Sequence, residues 1–456
     1  MLEALREPLE GVEIAQANSL ACVDLGPEAP LALIVGVAGG PNRLLRARAG
    51  RLEELPLTEL ADPFGAARAL AAADLDGDGI EEIWVANGEP GRPERARADR
   101  LFDRAGDGFQ DLLAEPGAGL LGGLVSGLAV RPLDRLGTGL YGFLVSAASG
   151  PLRLIERERA GGLVDAAALA GLDELVAASA VAAGPLLGHG PDLFVGALQG
   201  PSALFQAVGH GRWSEVGEAV GLLVPDLGAA DAALLEVDGA GTRGLLCLRR
   251  RGSHLLWVPS PTGLLRELAP PTVARPSAAT CLLVADLDND GHEEILIGNA
   301  GEPNRLLGWR EQGWRPLDPG DALEPASLPT AMVAADLDGD GRLEVLVART
   351  SGRGGGLACY RVEAGSGAWL RVAPRTPQGA PARGALVRLV ANGREQLRVV
   401  GEAGRGAGEP VAHFGLGSAT RVERVDIRWP DGAVRRLTDV EPGRTLHLPH
   451  PLVAGR

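Results

Sequence analysis

Asp336-Leu337-Asp338-Gly339-Asp340-Gly341-Arg342-Leu343-Glu344 sets carboxylates at positions 1, 3, 5 and 9 of a nine-residue stretch, with glycine at position 6. Two further stretches repeat the pattern: Asp74-Leu75-Asp76-Gly77-Asp78-Gly79-Ile80-Glu81-Glu82 and Asp286-Leu287-Asp288-Asn289-Asp290-Gly291-His292-Glu293-Glu294. Alternate carboxylates folded onto one point by a tight turn are what a hard cation needs. Ca2+ takes six to eight oxygens at about 2.3–2.6 Å, and a glycine accepts the left-handed backbone at the bend. The EF-hand, which carries a similar loop, needs a bidentate Glu at position 12 and flanking helices. Here position 12 is Val85, Ile297 or Val347. Each loop lies between short apolar, β-branched runs, such as Ala331–Ala335 and Val345–Ala348, which read as buried strands. The expected ligands are Asp74, Asp76, Asp78 and Glu82; Asp286, Asp288, Asp290 and Glu294; and Asp336, Asp338, Asp340 and Glu344. Position 7 (Ile80, His292, Arg342) offers its backbone carbonyl. About three Ca2+ ions are expected as cofactors; the competing reading is a set of Asp/Gly-rich turns without metal.

These loops calibrate a search for weaker copies. Aligned on the strand that follows, position 1 falls at Asp24, Asp74, Asp134, Gly184, Glu236, Asp286 and Asp336, with spacings of 50, 60, 50, 52, 50 and 50 residues. The long spacing reads as an insertion at 91–98. Gly40-Pro41-Asn42-Arg43-Leu44-Leu45 and Glu302-Pro303-Asn304-Arg305-Leu306-Leu307 confirm the register, since Gly-Pro and Glu-Pro punctuate a turn before a third strand. Trp213-Ser214-Glu215-Val216 and Trp314-Arg315-Pro316-Leu317 mark a fourth. The fold class is therefore all-β: a seven-bladed propeller over residues 1–363. Its seventh repeat runs out after Tyr360-Arg361, so the segment around Val12-Glu13-Ile14 is expected to supply the missing strand and close the ring. Loops one, three, four and five lack the carboxylate pattern, with Gly26, Leu136, Leu186 and Gly244 among the replacements, and are expected to be metal-free.

Residues 364–368 read as a flexible linker, and 369–456 as a small antiparallel β-sandwich. Asn392-Gly393 is a strong hairpin signal. Pro430-Asp431-Gly432 separates two further strands, the first of which, Val422–Trp429, alternates with period two. The acidic loops resemble FG-GAP (VCBS-type) repeats, the calcium-binding blades of integrin α-chain heads. His413-Phe414-Gly415-Leu416-Gly417 and Arg428-Trp429-Pro430-Asp431-Gly432, with Gly384-Ala385 opening the first strand pair, resemble the ASPIC/UnbV domain. Propeller plus this domain is the layout of the cartilage acidic protein-like family. The resemblance implies Ca2+ in the loops and seven blades. It implies no reaction: animal relatives are matrix proteins, while UnbV takes its name from bacterial biosynthesis clusters, and fold does not fix function.

The chain is acidic, with a formal charge of −15, and its 44 basic residues are all arginine. That balance argues against a nucleic-acid partner. No apolar run is long enough for a membrane span, and Met1–Leu20, with Glu3, Glu7, Glu10 and Glu13, is not a signal peptide. As it stands the sequence reads as cytoplasmic; a secreted protein is the alternative if the N-terminus has been trimmed. Cys22, Cys247, Cys281 and Cys359 show no metal-type spacing and read as free, three of them inside apolar strands. No nucleophile elbow, HExxH or phosphate loop is present. His413 is the one candidate for chemistry, against a reading in which it packs within the small domain. The function expected is a calcium-binding recognition or scaffold module with a protein, glycan or small-molecule partner. The alternative is an intracellular enzyme of secondary metabolism with a pocket at the propeller channel or domain interface.

Overall fold

Seven four-stranded antiparallel sheets follow one another along the chain. Their innermost strands are Ala17–Val23, Ala67–Ala73, Gly127–Leu133, Ala178–Gly184, Ala229–Glu236, Ala279–Ala285 and Pro329–Ala335. Each packs against the next, and the seventh packs back on the first, so the ring closes by packing rather than as one hydrogen-bonded barrel. All seven carry the same register shift near their start, as between Ala67 and Ala69 or Pro329 and Ala331. A bulge of this kind adds local twist. Alanine dominates these strands because neighbouring backbones converge toward the axis and leave little room. Apolar clusters fill the gaps between successive blades: Trp84 meets Phe143 at 5.7 Å, and Phe194 meets Trp257 at 6.1 Å. The coordinates are a computed structural model and describe all residues except 28, 30, 57–58, 89–96, 107, 116–117, 119–120, 122–126, 149, 159–160, 189, 223, 239–240, 351–354, 364–366, 403 and 454–456. Most of the expected 91–98 insertion and of the 364–368 linker lies outside the described residues.

One sequence expectation is corrected. The strand that completes the seventh sheet is Leu2–Ala4, paired antiparallel with Gly356–Val362 through Leu2↔Val362 and Ala4↔Tyr360. It is not the segment at 12–14. Leu2 is fully buried, and Ala4 N–H is held by Asp321 at 2.9 Å. A short 3-10 turn at Glu7–Leu9, with Pro8 in its first turn, follows the strand. Val12 and Ile14 instead lie partly buried against the apolar cluster between the first and seventh blades.

The C-terminal part forms two small sheets. One orders Arg394–Val399, Leu386–Ala391, Val422–Arg428 and Val434–Val440; the other orders Ala412–Gly417, Ala368–Pro374 and Arg444–Leu448. The pairing of Ala368–Pro374 with Arg444–Leu448 is parallel; the other pairings in these two sheets are antiparallel. Asn392 and Gly393 both take left-handed angles, φ 51° and 71°, the type I′ geometry that the Asn-Gly signal implied.

Between Val399 and Ala412 the chain leaves these sheets and enters the propeller axis. Ala407 bridges Ala21, and its carbonyl accepts from Cys22 N–H. Arg131 donates to the carbonyls of Gly404 and Gly406. Arg405 donates to Asp231 and to the carbonyls of Ala230 and Ser179. Gly404 abuts Leu282, and Gly406 abuts Leu20 and Val333. The innermost strands of blades 1, 3, 4, 5, 6 and 7 thus all touch this segment. The expected channel pocket is corrected accordingly: the axis is filled by the protein's own chain.

Candidate metal centre

The three acidic stretches are the connections between the first and second strands of blades 2, 6 and 7, and they share one hydrogen-bond plan. The position-1 aspartate accepts the position-6 N–H: Gly79 to Asp74 at 3.1 Å, Gly291 to Asp286 at 2.9 Å, Gly341 to Asp336 at 3.0 Å. Position 3 accepts from the N–H of position 5, and position 5 from that of position 7, at 2.7–3.2 Å throughout. The position-9 glutamate accepts the N–H of the leucine at position 2: Leu75, Leu287 and Leu337. In Asp74 and Asp336 both oxygens are tied to backbone, the second accepting Gly77 N–H at 2.6 Å and Gly339 N–H at 2.7 Å; in Asp286 the hydrogen bonds fall on Oδ2. Asp74, Asp76 and Asp78 converge, as do Asp286, Asp288 and Asp290, and Asp336, Asp338 and Glu344. These groups could hold a metal ion. Asp286 Oδ1 is buried and meets no hydrogen-bond donor, the state expected of an oxygen reserved for a cation.

Burial raises the pKa values of several of these acids. Burial, reinforced by the neighbouring aspartates, pushes Asp74 up to about 6 and Glu82 up to about 10. Glu344 is pushed up to about 7 by burial and Asp338. Asp286 and Glu294 move the same way for the same reason. A cation in the cup would reverse the shifts.

The sequence reading missed several groups. Asp103, one step beyond the Ile83↔Phe102 pair, lies across from Glu82 and joins Asp76 and Glu82 in a further acidic cluster. The matching position in blade 7 is Arg361, which reaches Asp338 at 3.1 Å, Asp340 at 3.3 Å and Glu344 at 3.1 Å. Arg310 likewise bridges Asp288, Asp290 and Glu294. In blade 2 the arginine comes from the next blade: Arg157 touches Asp76 at 2.9 Å. Arg342 folds its guanidinium back onto Asp340. The register of the third strand could have revealed Asp103 and Arg361; the approach of Arg157 depends on how blades pack.

The C-terminal part docks on the face that carries these loops. Gly415 N–H donates to Asp286 Oδ2 at 2.9 Å, Gly417 N–H to the Asn289 carbonyl at 2.8 Å, and Asn289 Nδ2 to the Gly341 carbonyl at 2.9 Å. Trp369 lies where a Cβ on Gly341 would fall. Arg371 bonds Asp336 at 3.0 Å and also meets Glu409. Position 8 has a role of its own: buried Glu81 and Glu293 accept from Asp24 N–H and Glu236 N–H of the preceding blade, both at 2.8 Å, and pair with Arg383 and with Arg243 and Arg398. In blade 1 the equivalent residue is Leu31, and Glu409 takes over by accepting from Asp336 N–H at 3.2 Å.

His413 Nε2 contacts Asn289 Oδ1 at 2.7 Å, while burial and two arginines hold its pKa well below the ordinary value. It borders a space of only about 80 Å³. His292 meets Arg394 through Nδ1 at 2.8 Å and is lowered to about 4 by burial and Arg394. Among the described residues, the first, third, fourth and fifth loops contribute to no such acidic group. Asp24 is paired with Arg375, and Glu236 with Arg394 and Arg398. The four cysteines are buried and free. No described helix is long and apolar enough to cross a membrane.

The family model for the FG-GAP-like repeat matches residues 286–347, and that for ASPIC and UnbV matches residues 375–453. The chain is 31% identical to mouse (Mus musculus) cartilage acidic protein 1, across 95% of this chain and 73% of that protein. Human (Homo sapiens) cartilage acidic protein 1 is 30% identical across 95% and 72%. Among solved structures, the BP39L lectin from Burkholderia pseudomallei superimposes with a TM-score of 0.51 at 16% identity, covering 77% of this chain and 98% of the lectin. That likeness concerns the fold alone.

Proposed function

The chain belongs to the family of cartilage acidic protein 1, and on that premise we propose that it is a calcium-stabilised binding scaffold. Ca2+ is held in the loops at Asp74–Glu82, Asp286–Glu294 and Asp336–Glu344, by the four carboxylates of each and the position-7 carbonyl. The observation that supports this reading is the convergence of three carboxylates in each loop on one shared hydrogen-bond plan, with Asp286 Oδ1 buried and without a donor among the described residues. Ca2+ suits such cups better than Mg2+, which demands near-octahedral geometry at about 2.0–2.1 Å. Occupied, the loops would hold the docking face of the C-terminal sheets rigid and leave the rest of the surface for a protein, glycan or small-molecule partner. Binding to the native state alone stabilises it by about 4 kcal/mol per site at a thousandfold excess over Kd.

The test is calorimetric titration of chelator-stripped protein with Ca2+, with Mg2+ as control. Saturable Ca2+ binding at up to three sites is expected, each weakened by loss of its own aspartates. Absence of binding would reduce the loops to turns. The affinity also discriminates compartments: submicromolar Kd fits a low-calcium cytosol, and high-micromolar to millimolar Kd an exported protein.

A further inference from the structure

The third and fourth blades lack the acidic loop, and a cavity of about 680 Å³ opens where these two loops face the C-terminal sheets. This volume lies within the range of small-molecule sites. Its apolar wall includes Leu133 and Trp213, both buried, and the half-buried Ala183. Leu136, at the loop position where an acid would stand, also lines it and is 59% exposed, unusually open for a leucine. Both neighbouring indoles are fixed: Trp213 donates to the Pro191 carbonyl and Trp429 to the Arg375 carbonyl, each at 2.8 Å. The wall is thus rigid and needs no rearrangement to receive a ring or an alkyl chain.

The charges around the cavity do not cancel. Asp134 accepts N–H groups of its own turn, from Thr138 at 2.9 Å and Gly139 at 2.8 Å. Asp431 accepts from Ala433 N–H at 2.8 Å and meets His450 at 3.1 Å. Arg135 is held by both oxygens of Glu156, at 2.6 and 2.7 Å. Arg212 and Arg428, from the fourth blade and the C-terminal sheet, line the same cavity, and among the described residues no ion pair or side-chain hydrogen bond engages either. In a chain of net charge −15, two unengaged guanidinium groups beside an apolar wall form a local anion site.

We propose that this cavity binds a small amphipathic organic anion, its aromatic or alkyl body against Leu136 and Trp213 and its carboxylate, sulfonate or phosphate between Arg212 and Arg428. The site is independent of the cation chemistry of the acidic loops. The probe for the test is 1-anilinonaphthalene-8-sulfonate, with the uncharged N-phenyl-1-naphthylamine as its comparison, titrated into the intact chain and followed by fluorescence and calorimetry. One anion per chain is expected, bound at least tenfold more tightly than the neutral probe. Arg212→Glu with Arg428→Glu should weaken it at least tenfold, and Ala183→Trp, which fills the cavity, should abolish it. Arg266→Glu, on the fifth blade and away from the cavity, should leave it unchanged. Melting temperature with and without Ca2+ is the separate readout for folding and for the loops; if the glutamate variant melts early, Arg212→Gln with Arg428→Gln replaces it. Absence of saturable binding, equal affinity for the neutral probe, or binding indifferent to the arginine and tryptophan variants would overturn the assignment.

Discussion

At the level of single residues, the three loops are not equivalent despite their shared pattern. The second blade adds Asp103 beside Glu82, whereas the seventh places Arg361 at the matching position, across three of its own carboxylates. A guanidinium in the cup competes with a cation. Asp103→Ala should therefore weaken Ca2+ binding at the second blade alone, and Arg361→Ala should strengthen it at the seventh, each by roughly tenfold in Kd, the order of one charge contact of about 1.4 kcal/mol. Calorimetry on the single variants decides; no change in either would remove these two residues from the sites. Asp288→Ala should weaken only the sixth-blade site. The raised acids also set a pH dependence. Their folded pKa values exceed the unfolded ones, so the metal-free folded state binds more protons and loses stability as pH rises. Asp74 contributes from about 4 to about 6, Glu344 from about 4.5 to about 7, and Glu82 from about 4.5 to about 10. Chelated protein should thus melt higher at pH 5.5 than at pH 8 as far as these groups decide it. The gain in melting temperature on adding Ca2+ should be larger at pH 8; a gain that shrinks with rising pH would contradict this.

At the level of elements, two short segments carry more than their length suggests. Leu2–Ala4 supplies the outer edge of the seventh sheet. Leu2→Asp buries a charge in that cluster and should lower stability by about 3 kcal/mol or more, visible in denaturant unfolding, while Val12→Asp, at a half-exposed position, should cost less. Equal costs would restore the 12–14 segment as the closing element. The strand Ala412–Gly417 reads the sixth loop through Gly415, where a Cβ would meet Asp286 Oδ2 and the Asn289 backbone. Gly415→Ala should lower stability by about 1–3 kcal/mol and weaken Ca2+ at the sixth loop, with the second loop unaffected. Alternating strands, the Asn392-Gly393 hairpin and the fifty-residue period are local patterns and were legible from sequence. The closing strand was not: Val12-Glu13-Ile14 alternates more convincingly than Leu2-Glu3-Ala4, and only the ring geometry selects between them.

At the level of the whole molecule, the C-terminal sheets meet the acidic face of the propeller with a set of arginines. Arg371 pairs with Asp336, Arg375 with Asp24, Arg383 with Glu81, and Arg398 with Glu236 and Glu293, while residues 404–407 fill the axis. Arg383→Ala leaves Glu81 buried without its charge partner, and should cost about 3–5 kcal/mol in denaturant unfolding; a loss below 1 kcal/mol would show the pair to be dispensable. Because the plug is shared, thermal unfolding should be one transition by calorimetry, and two separate transitions would refute the interlock. The sequence by itself determined the repeat, the seven sheets, the small second sheet pair and the three acidic loops, because each rests on periodicity and turn chemistry within about ten neighbouring residues. Tertiary structure alone decided that Leu2–Ala4 closes the ring and that the channel is filled. It also decided that Arg310 and Arg361 enter two of the cups, and that Arg212 and Arg428, beside a cavity, have no ion-pair partner among the described residues. Those outcomes depend on groups brought together from up to hundreds of residues apart, where burial and charge pairing, which no local pattern encodes, select the arrangement.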